Sequence, residues 1–366
     1  MKNGKNGFTA FLRRHTQLLV PLVPLTILII FNLIKNPAFL NIWMSETGIY
    51  SGYPISILYN GTTLVIMALG MTLVTAASGG QDISVGALAA IASATFFRVL
   101  VGGDVENPGR FILAIFAGIG MTMVFSAFNG MLVSVFKIQP MIATLILYSC
   151  GRSFAYWIGN DDEATFTSTL ATKMAVNIPG CPIKTPILIC LLMFLVFFLL
   201  LKFTNIGLYA QAVGINQDAA KLNGINATMV KWLVFVILGA CCAISGVIRA
   251  CEVTKVSYEQ QMIDIEMKAI LAVALGGNSL GGGKYSIVGS VLGAYTLTTL
   301  ETTLDGLKIK STDIKAYYAL VIILLVVAAS GPVKKLINRI TAQIKSAAHK
   351  TGGPGDGAIP LAKEAQ

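Results

Sequence analysis

Long apolar runs alternate with short polar stretches along most of the chain. A transmembrane helix needs about 20 predominantly apolar residues, and runs that reach or approach this length predict ten spans. The predicted spans are 17–34, 55–77, 83–101, 111–136, 140–159, 185–203, 228–249, 266–280, 286–304 and 314–331. The third and the eighth are short and rich in Gly and Ala. The pattern predicts an all-α polytopic membrane protein.

One interruption, Gly207–Gly224, is polar and rich in small residues, yet its apolar positions are periodic. Spacings of 4, 3, 4 and 3 have the period of an amphipathic helix; the positions are Leu208, Ala212, Ile215, Ala219 and Leu222. Asn216 can cap a short helix, Asp218 suits a helix N-terminus, and Gly224 can end the helix. We expect a capped helix that presses on a partner in the water phase.

The composition also indicates a membrane protein. Of 366 residues, 55% are hydrophobic and 12% charged, against about 25% charged in soluble domains, and the mean hydropathy is +0.74. Basic residues cluster at the two ends, which favours cytoplasmic termini over a nucleic-acid site. We expect a cytosolic segment at 1–16, a permease domain at 17–331 and a basic, partly disordered tail at 332–366. The basic start and apolar run resemble a signal peptide, but without a cleavage site they predict a retained first span.

Two glycine-rich segments share the pattern GGxxxxVG. They are Gly79–Gly86, GGQDISVG, and Gly282–Gly289, GGKYSIVG, and each follows a predicted span. Internal repeats with irregular, glycine-interrupted segments are common near transport paths. A chance likeness between glycine-rich loops explains the pattern equally well.

A few polar residues within or beside the spans are candidates for function. Asp82 begins a small-residue helix, and we favour a structural role, with its carboxylate held by backbone N–H groups, over substrate contact. Asn129 and Asn278 must find partners either in helix packing or in a wet pathway. Six charged residues near span ends are expected to reach water as anchors: Arg98, Arg152, Arg249, Glu266, Lys268 and Glu301.

The sequence carries no pattern for ATP hydrolysis or metal binding. The stretch 277–286, GNSLGGGKYS, fails the phosphate-loop pattern, because Asn278 replaces its first Gly and Tyr285 its Ser or Thr. His15 and His349 lie outside the spans, and no nucleophile–His–acid set is visible. The cysteines lack metal-type spacing and are expected to be small buried thiols: Cys150, Cys181, Cys190, Cys241, Cys242 and Cys251.

Several motifs together resemble the permease subunits of bacterial ABC sugar importers of the ribose and galactofuranose type. They are ALGMTLV at 68–74, SGGQDISVG at 78–86, FNGMLVSVFKIQPMIATLIL at 128–147, AVGINQDAAKLNGI at 212–225 and LGGNSLGGGKYSIVGSVLGA at 275–294. The likeness extends from about residue 50 to residue 331, and AVGIN and KIQPMIATLIL are most similar to the galactofuranose type. Gln81 departs from the family, which usually has an apolar residue beside the Asp.

The resemblance implies a subunit of an ATP-driven, binding-protein-dependent monosaccharide importer, multi-pass in the bacterial cell membrane. The implied partners are a cytosolic ABC ATPase, an extracytoplasmic sugar-binding protein and a second permease, identical or related. ATP and Mg would lie on the ATPase, and this chain would hold no cofactor. The segment 207–225 would couple to the ATPase through Ala212, Gly214, Asn216, Asp218, Ala219, Ala220 and Gly224. Candidates for the translocation pathway are Asn60, Asp82, Asn129, Thr144 and Asn278.

Other functions remain open from sequence. A related permease for nucleosides, branched-chain amino acids or a signalling sugar would share the fold and the coupling segment. A self-powered secondary transporter or channel would use ion coupling through intramembrane charges, and the lack of mid-span acid–base groups counts against it. A membrane enzyme would need a catalytic set of residues, and none is visible.

Overall fold

The computed structural model describes residues 16–45, 48–160, 164–178, 180–253, 255–258, 260–307, 316–320 and 323. The chain divides into two compact units, 1–319 and 320–366, and the description below concerns the first. The basic start at 1–15, both histidines, most of the tenth predicted span and the predicted tail lie outside the described residues.

The described part of the chain is helical at each of the first nine predicted spans. The helices are α1 (Thr16–Lys35), α2 (Tyr53–Asn60), α3 (Thr62–Ser78), α4 (Val85–Val101), α5 (Pro108–Ser134), α6 (Pro140–Gly159), α7 (Thr169–Ala175), α8 (Thr185–Phe203), α9 (Ile206–Ile215), α10 (Gln217–Leu222), α11 (Ala227–Glu252), α12 (Ile265–Leu275) and α13 (Ile287–Gly306). The short strands are β1 (Trp43–Met44), β2 (Tyr50–Ser51), β3 (Ala164–Thr165) and β4 (Lys255–Val256). β1 pairs with β2 and β3 with β4, both antiparallel.

The helices at the predicted spans differ in whether they are long enough to cross a membrane. Within the described residues, α5, α8 and α11 are long and apolar enough to cross a membrane, and α2 with α3, bent by 45°, would make a fourth. The helix α12 has 11 residues, or about 17 Å at 1.5 Å per residue, which is little more than half of a bilayer core. The count of ten full spans therefore stays a prediction.

Two helices begin inside the bundle. Ala89, in the second turn of α4, contacts Gly246 near the far end of α11. At the start of α12, the Glu266 carboxylate lies against Gly86 in the first turn of α4. Since Asp82 before α4 and Glu266 at the start of α12 are both buried, the loops that precede these helices must enter the bundle.

The loops fall into two sets at opposite ends of the bundle. At one end, Gly80 contacts Pro140 and Gly79 contacts Gly281. At the other, Tyr50 N–H donates to the Pro182 carbonyl over 2.9 Å, and β3 pairs with β4. This separation agrees with the predicted alternation of inner and outer loops; the assignment of one set to the cytoplasm stays a prediction. We refer to the two ends as inner and outer in that sense.

The outer helices carry their large apolar side chains on the surface. Phe116 on α5 and Leu191 on α8 are exposed, whereas residues 62–77 of α3 are buried throughout. A soluble protein rarely exposes such extended apolar surface. The distribution fits a bundle surrounded by lipid.

Small residues permit close contact between helices. A Cβ at Gly246 would lie 2.3 Å from the Ala89 carbonyl oxygen, and one at Gly293 would lie 2.1 Å from that of Ala272. Neither position has room for a side chain.

The expectation that the charged residues near span ends act singly as anchors is wrong for several of them. Glu266 is only 3% exposed and pairs with Arg152 of α6 over 3.3 Å. Lys268 pairs with Glu301 of α13 over 2.5 Å. These ion pairs tie α12 to both neighbours, whereas Arg98 is exposed as expected.

The thiol prediction holds in part. Cys190, Cys241, Cys242 and Cys251 are buried, but Cys150 and Cys181 are partly exposed.

Candidate coupling segment and polar break

The segment 207–225 forms two short helices, α9 and α10, that meet at Asn216. The Asn216 backbone is extended, and its side-chain oxygen accepts from the N–H groups of Asp218 and Ala219, each over 3.0 Å. Gly224 follows α10 with φ +79°, a conformation that favours glycine. The local prediction of a cap at Asn216 and an end at Gly224 is confirmed.

The predicted apolar stripe does not face the bundle. Leu208, Ile215 and Leu222 are 65%, 67% and 90% exposed, because the break at Asn216 divides the stripe between two helices. Small residues make the buried face instead: Gly207, Ala210, Val213 and Ala220. The segment thus lies close to the bundle on small side chains and presents its large apolar side chains outward.

Polar contacts fix the second of these helices. The Lys231 ammonium of α11 donates to the Gln217 side-chain oxygen over 2.7 Å. Asp218 and Lys221 form an exposed pair at 3.5 Å. The helix α10 is thus held to α11 while its last residue, Leu222, stays exposed.

A glycine junction joins α9 to both glycine-rich loops. A Cβ at Gly214 would lie 1.8 Å from the Ala76 carbonyl oxygen and 2.6 Å from the Gly283 nitrogen. The Gly283 N–H donates to the same Ala76 oxygen over 2.9 Å. Gly79 and Gly282 contact each other and both have positive φ, +66° and +95°. We define the glycine junction as Gly79, Gly214, Gly282 and Gly283.

The two GGxxxxVG segments therefore meet in space. Besides the glycine contacts, the Gln81 side-chain N–H donates to the Leu280 carbonyl over 3.1 Å. Gln81, the residue that departs from the family pattern, thus bridges the loops. Sequence reasoning found the shared pattern but not the contact, since nothing local in either loop specifies it.

Three of the five pathway candidates gather at the start of α4. Asp82 Oδ1 accepts from Ser84 N–H over 2.7 Å and from Ser84 Oγ over 2.5 Å. The Asn129 amide of α5 donates to Ser84 Oγ over 2.9 Å. Thr144 Oγ1 of α6 accepts from Ile83 N–H over 3.1 Å. We call Asp82, Ser84, Asn129 and Thr144 the polar break.

The other two candidates lie apart from the polar break. Asn278 closes its own loop, since its amide donates to the Val273 carbonyl over 2.9 Å and to Ser290 Oγ over 2.7 Å. Asn60 is exposed at the bend between α2 and α3. Asn278 has the geometry of a packing residue.

A cavity of about 330 Å³ opens between α5 and α6 beside the polar break, within the range of small-molecule pockets. Its lining is aromatic and aliphatic apart from Asn129: Val124, Phe125, Phe128, Ile146, Leu147, Cys150 and Phe154. The cavity offers ring faces next to a polar group.

An outer segment that the sequence did not single out reaches α4 from the opposite side. The Arg152 guanidinium donates to the Gln261 carbonyl over 2.7 Å, and the Gln261 amide donates to Ser93 Oγ on α4 over 3.2 Å. With Glu266 against Gly86, residues 260–266 lie against the first turns of α4. The short eighth span was the only sequence signal for this arrangement.

Comparison with known proteins identifies the family. A family model described as branched-chain amino acid transport system, permease component, matches residues 53–330. The chain is 35% identical over 282 residues to the galactofuranose transporter permease protein of Escherichia coli K12, covering 77% of this chain and 80% of that protein. No solved structure matches the chain significantly.

Two further relatives have the same kind of name. The chain is 32% identical over 299 residues to the fructose import permease protein of Bifidobacterium longum NCC 2705, covering 80% of this chain and 82% of the relative. It is 33% identical over 274 residues to the ribose import permease protein of E. coli K12, covering 73% and 80%. These relatives are permease components, which agrees with the prediction of a translocation subunit and not an enzyme. The chain therefore belongs to this family of transport-system permease components, together with import permeases for galactofuranose, fructose and ribose.

Proposed function

We propose that this chain is the membrane-spanning subunit of an ATP-driven importer that receives a monosaccharide, a pentose or hexose, from a separate binding protein. The observation that carries the proposal is the similarity to three sugar import permeases over most of the chain. The exposed face of 207–225 supports the coupling to an external ATPase. The importer works in the bacterial cell membrane, with both chain termini in the cytoplasm.

The coupling surface consists of the exposed Leu208, Ile215 and Leu222. A helix that lays apolar side chains into a groove on a partner is a common mode of recognition. An ATPase that binds ATP and Mg would supply the groove, and this chain would supply the helix pair. The family-matched residues Ala212, Asn216, Asp218, Ala219, Ala220 and Gly224 hold the pair in shape, while Gly214 connects it to the bundle.

Motion of the coupling surface passes through the glycine junction. Since Gly214 contacts Ala76 and Gly283 at backbone distance, α9 cannot shift alone without opening these contacts. A displacement would therefore reach the loops before α4 and α13 together. ATP drives transport by favouring the state of the permease that the closed ATPase binds better.

The sugar path passes the polar break, which polar side chains from α5 and α6 surround. The binding protein docks on the outer loops, near Asn60, and a second permease, identical or related, completes the path. In the conformation described, residues 260–266 lie against α4 on the outer side of the break, through Gln261 on Ser93 and Glu266 on Gly86.

Reconstitution tests the proposal. The permease in liposomes with its ATPase and binding protein should take up one sugar of a panel of galactofuranose, fructose and ribose, and uptake should need ATP. Transport against a gradient by the permease alone would refute the proposal.

A substitution tests the coupling surface. Leu222→Ala removes a 90% exposed side chain, so the fold should persist while affinity for the ATPase falls. Leu307→Ala, also exposed but at the outer end of α13, is the matched control and should bind normally. Equal affinity in both variants would place the ATPase contact elsewhere.

A further inference from the structure

Tyr285, in the loop before α13, reaches the first turn of α9. A Cβ at Gly207 would lie 2.1 Å from the Tyr285 hydroxyl oxygen and 2.7 Å from Leu201 Cδ2 of α8. The buried Gly207 is therefore covered by the tip of a tyrosine, and the position has no room for a side chain. The sequence singled out Tyr285 only as a departure from the phosphate-loop pattern.

The same loop also contacts the other end of α9. Gly283 lies against Gly214 and Ile215 in the last turn of this helix. Gly207 and Gly214 are seven residues apart, which places them on one face of α9 and about 10.5 Å apart along its axis. The loop before α13 thus holds α9 at both ends. A helix held at one point can pivot about that point, and a second point removes this freedom.

Hydrogen bonds fix the backbone on both sides of Tyr285. The Lys284 carbonyl accepts from Ser279 N–H over 3.2 Å. Ser286 N–H donates to the Asn278 side-chain oxygen over 2.5 Å, and Ser286 also caps α13. The Tyr285 side chain therefore projects from a fixed base and connects the start of α13 to the start of α9.

We infer that Tyr285 is a positioning residue of the coupling segment: its hydroxyl end rests on Gly207 and stops α9 from pivoting about Gly214. A tilt of the coupling surface then moves the start of α13, instead of being lost as a rotation of α9 on the bundle. Coupling between distant sites can be carried by contiguous packed contacts of this kind. The role in coupling rests on the proposed function, whereas the packing of Tyr285 on Gly207 does not.

A pair of substitutions tests the contact in the purified full-length chain without the ATPase. Gly207→Ala overpacks the site and should lower the melting temperature by several degrees. Tyr285→Phe removes the nearest atom and leaves the ring carbon Cζ 3.3 Å from the new Cβ, and the flexible end of Leu201 can shift. Adding Tyr285→Phe to Gly207→Ala should therefore recover most of the lost stability.

Gly120→Ala is the matched control for the added methyl group, because Gly120 is a helical glycine with open space around it. This variant should not lower the melting temperature, with or without Tyr285→Phe. A double variant that is no more stable than Gly207→Ala alone would overturn the inferred contact.

The amount of sugar taken up per ATP hydrolysed tests the positioning role in the assembled transporter, with the panel sugar that the wild type transports. Gly207→Ala and Tyr285→Ala should each lower this ratio at least about threefold, and Tyr285→Phe should restore it in the Gly207→Ala background. A residue that only stabilises the fold would lower uptake and hydrolysis together and leave the ratio unchanged. Tyr148→Phe, at an exposed tyrosine of α6, is the control and should keep the wild-type ratio.

The outcomes separate this inference from the proposed function. If the wild-type complex takes up no sugar, the proposed function and the role of Tyr285 in it both fail, while the melting temperatures still test the contact. If the wild type couples ATP to uptake but Gly207→Ala and Tyr285→Ala keep its ratio, the positioning role is overturned and the proposed function stands.

Discussion

The two GGxxxxVG loops share a sequence pattern but differ in how their serines are used. Before α13, Ser286 caps the helix, and its hydroxyl accepts from Gly289 N–H over 3.1 Å. Before α4, Ser84 makes no side-chain cap and bonds instead to Asp82 and Asn129. The loop before α13 uses its serine for local structure, whereas the loop before α4 uses its serine to hold a polar group inside the bundle.

The surroundings of the two loops differ in the same sense. Residues 260–266 run from the outer end to the first turns of α4 and contact them through Gln261 and Glu266. The loop before α13 has the exposed Lys284 at the position of Gln81. Both loops meet at the glycine junction, so one inner contact joins a loop that the outer segment contacts to a loop with an exposed Lys284.

The largest effect is expected where the two loops meet. Gly214→Ala places a Cβ 1.8 Å from the Ala76 oxygen, so α9 or both loops must move, and ATP-driven uptake should fall at least about tenfold. Gly120→Ala, at a helical glycine of α5 with open space around it, is the control and should transport normally. Full uptake by both variants would show that transport does not need the close contact of Gly214 with Ala76 and Gly283.

The next effect compares the two ion pairs of α12, one beside the start of α4 and one with α13. Glu266→Ala leaves Arg152 without the partner of a largely buried pair and should lower the free energy of unfolding by about 3 kcal/mol. Glu301→Ala breaks the more exposed pair with Lys268 and should cost about 1 kcal/mol or less. Denaturant unfolding in detergent measures both losses in the free energy of unfolding. A larger loss in Glu301→Ala than in Glu266→Ala would contradict the expectation that the buried pair of the outer segment is the stronger one.

A smaller difference is expected between the two serines. Ser84→Ala leaves Asn129 without its hydrogen-bond acceptor and should cost about 2 kcal/mol. Ser286→Ala removes one helix cap and should cost about 1 kcal/mol. Equal unfolding free energies for the two variants would mean that both serines act as ordinary local contacts.

The smallest effect concerns the outer surface, away from both loops. The Glu106 carboxylate accepts from Thr169 N–H over 2.7 Å and from Thr169 Oγ1 over 2.5 Å, and these bonds lower the pKa of Glu106. A lowered pKa stabilises the folded state above the ordinary Glu pKa, and the contribution disappears as the pH falls through the folded value. Hydrogen exchange at the Thr169 amide should therefore show protection at neutral pH that is lost in acid, and Glu106→Gln should remove this pH dependence.

Local chemistry was readable from the sequence. Apolar runs specify the helices, and Asn216 and Gly224 bound a short helix because capping depends on neighbouring residues alone. The GGxxxxVG pattern located both inner loops, and Asp82 and Asn129 were recognised as polar groups that need partners.

The remaining features depend on contacts between distant segments. The stripe Leu208, Ile215 and Leu222 has helical period, but the period does not reveal the break at Asn216 or the small residues that make the buried face. The fit of Gly214 against Ala76 and the descent of Gln261 onto α4 are tertiary contacts with no local signal.

The central claim is that the coupling segment and both glycine loops move as one unit. Spin labels at Asn205 before α9, at Leu280 beside the junction and at Leu307 at the outer end would measure it in the assembled transporter with and without ATP. The Asn205–Leu280 distance should stay constant while the Asn205–Leu307 distance changes. A change in the Asn205–Leu280 distance on ATP binding would contradict the account.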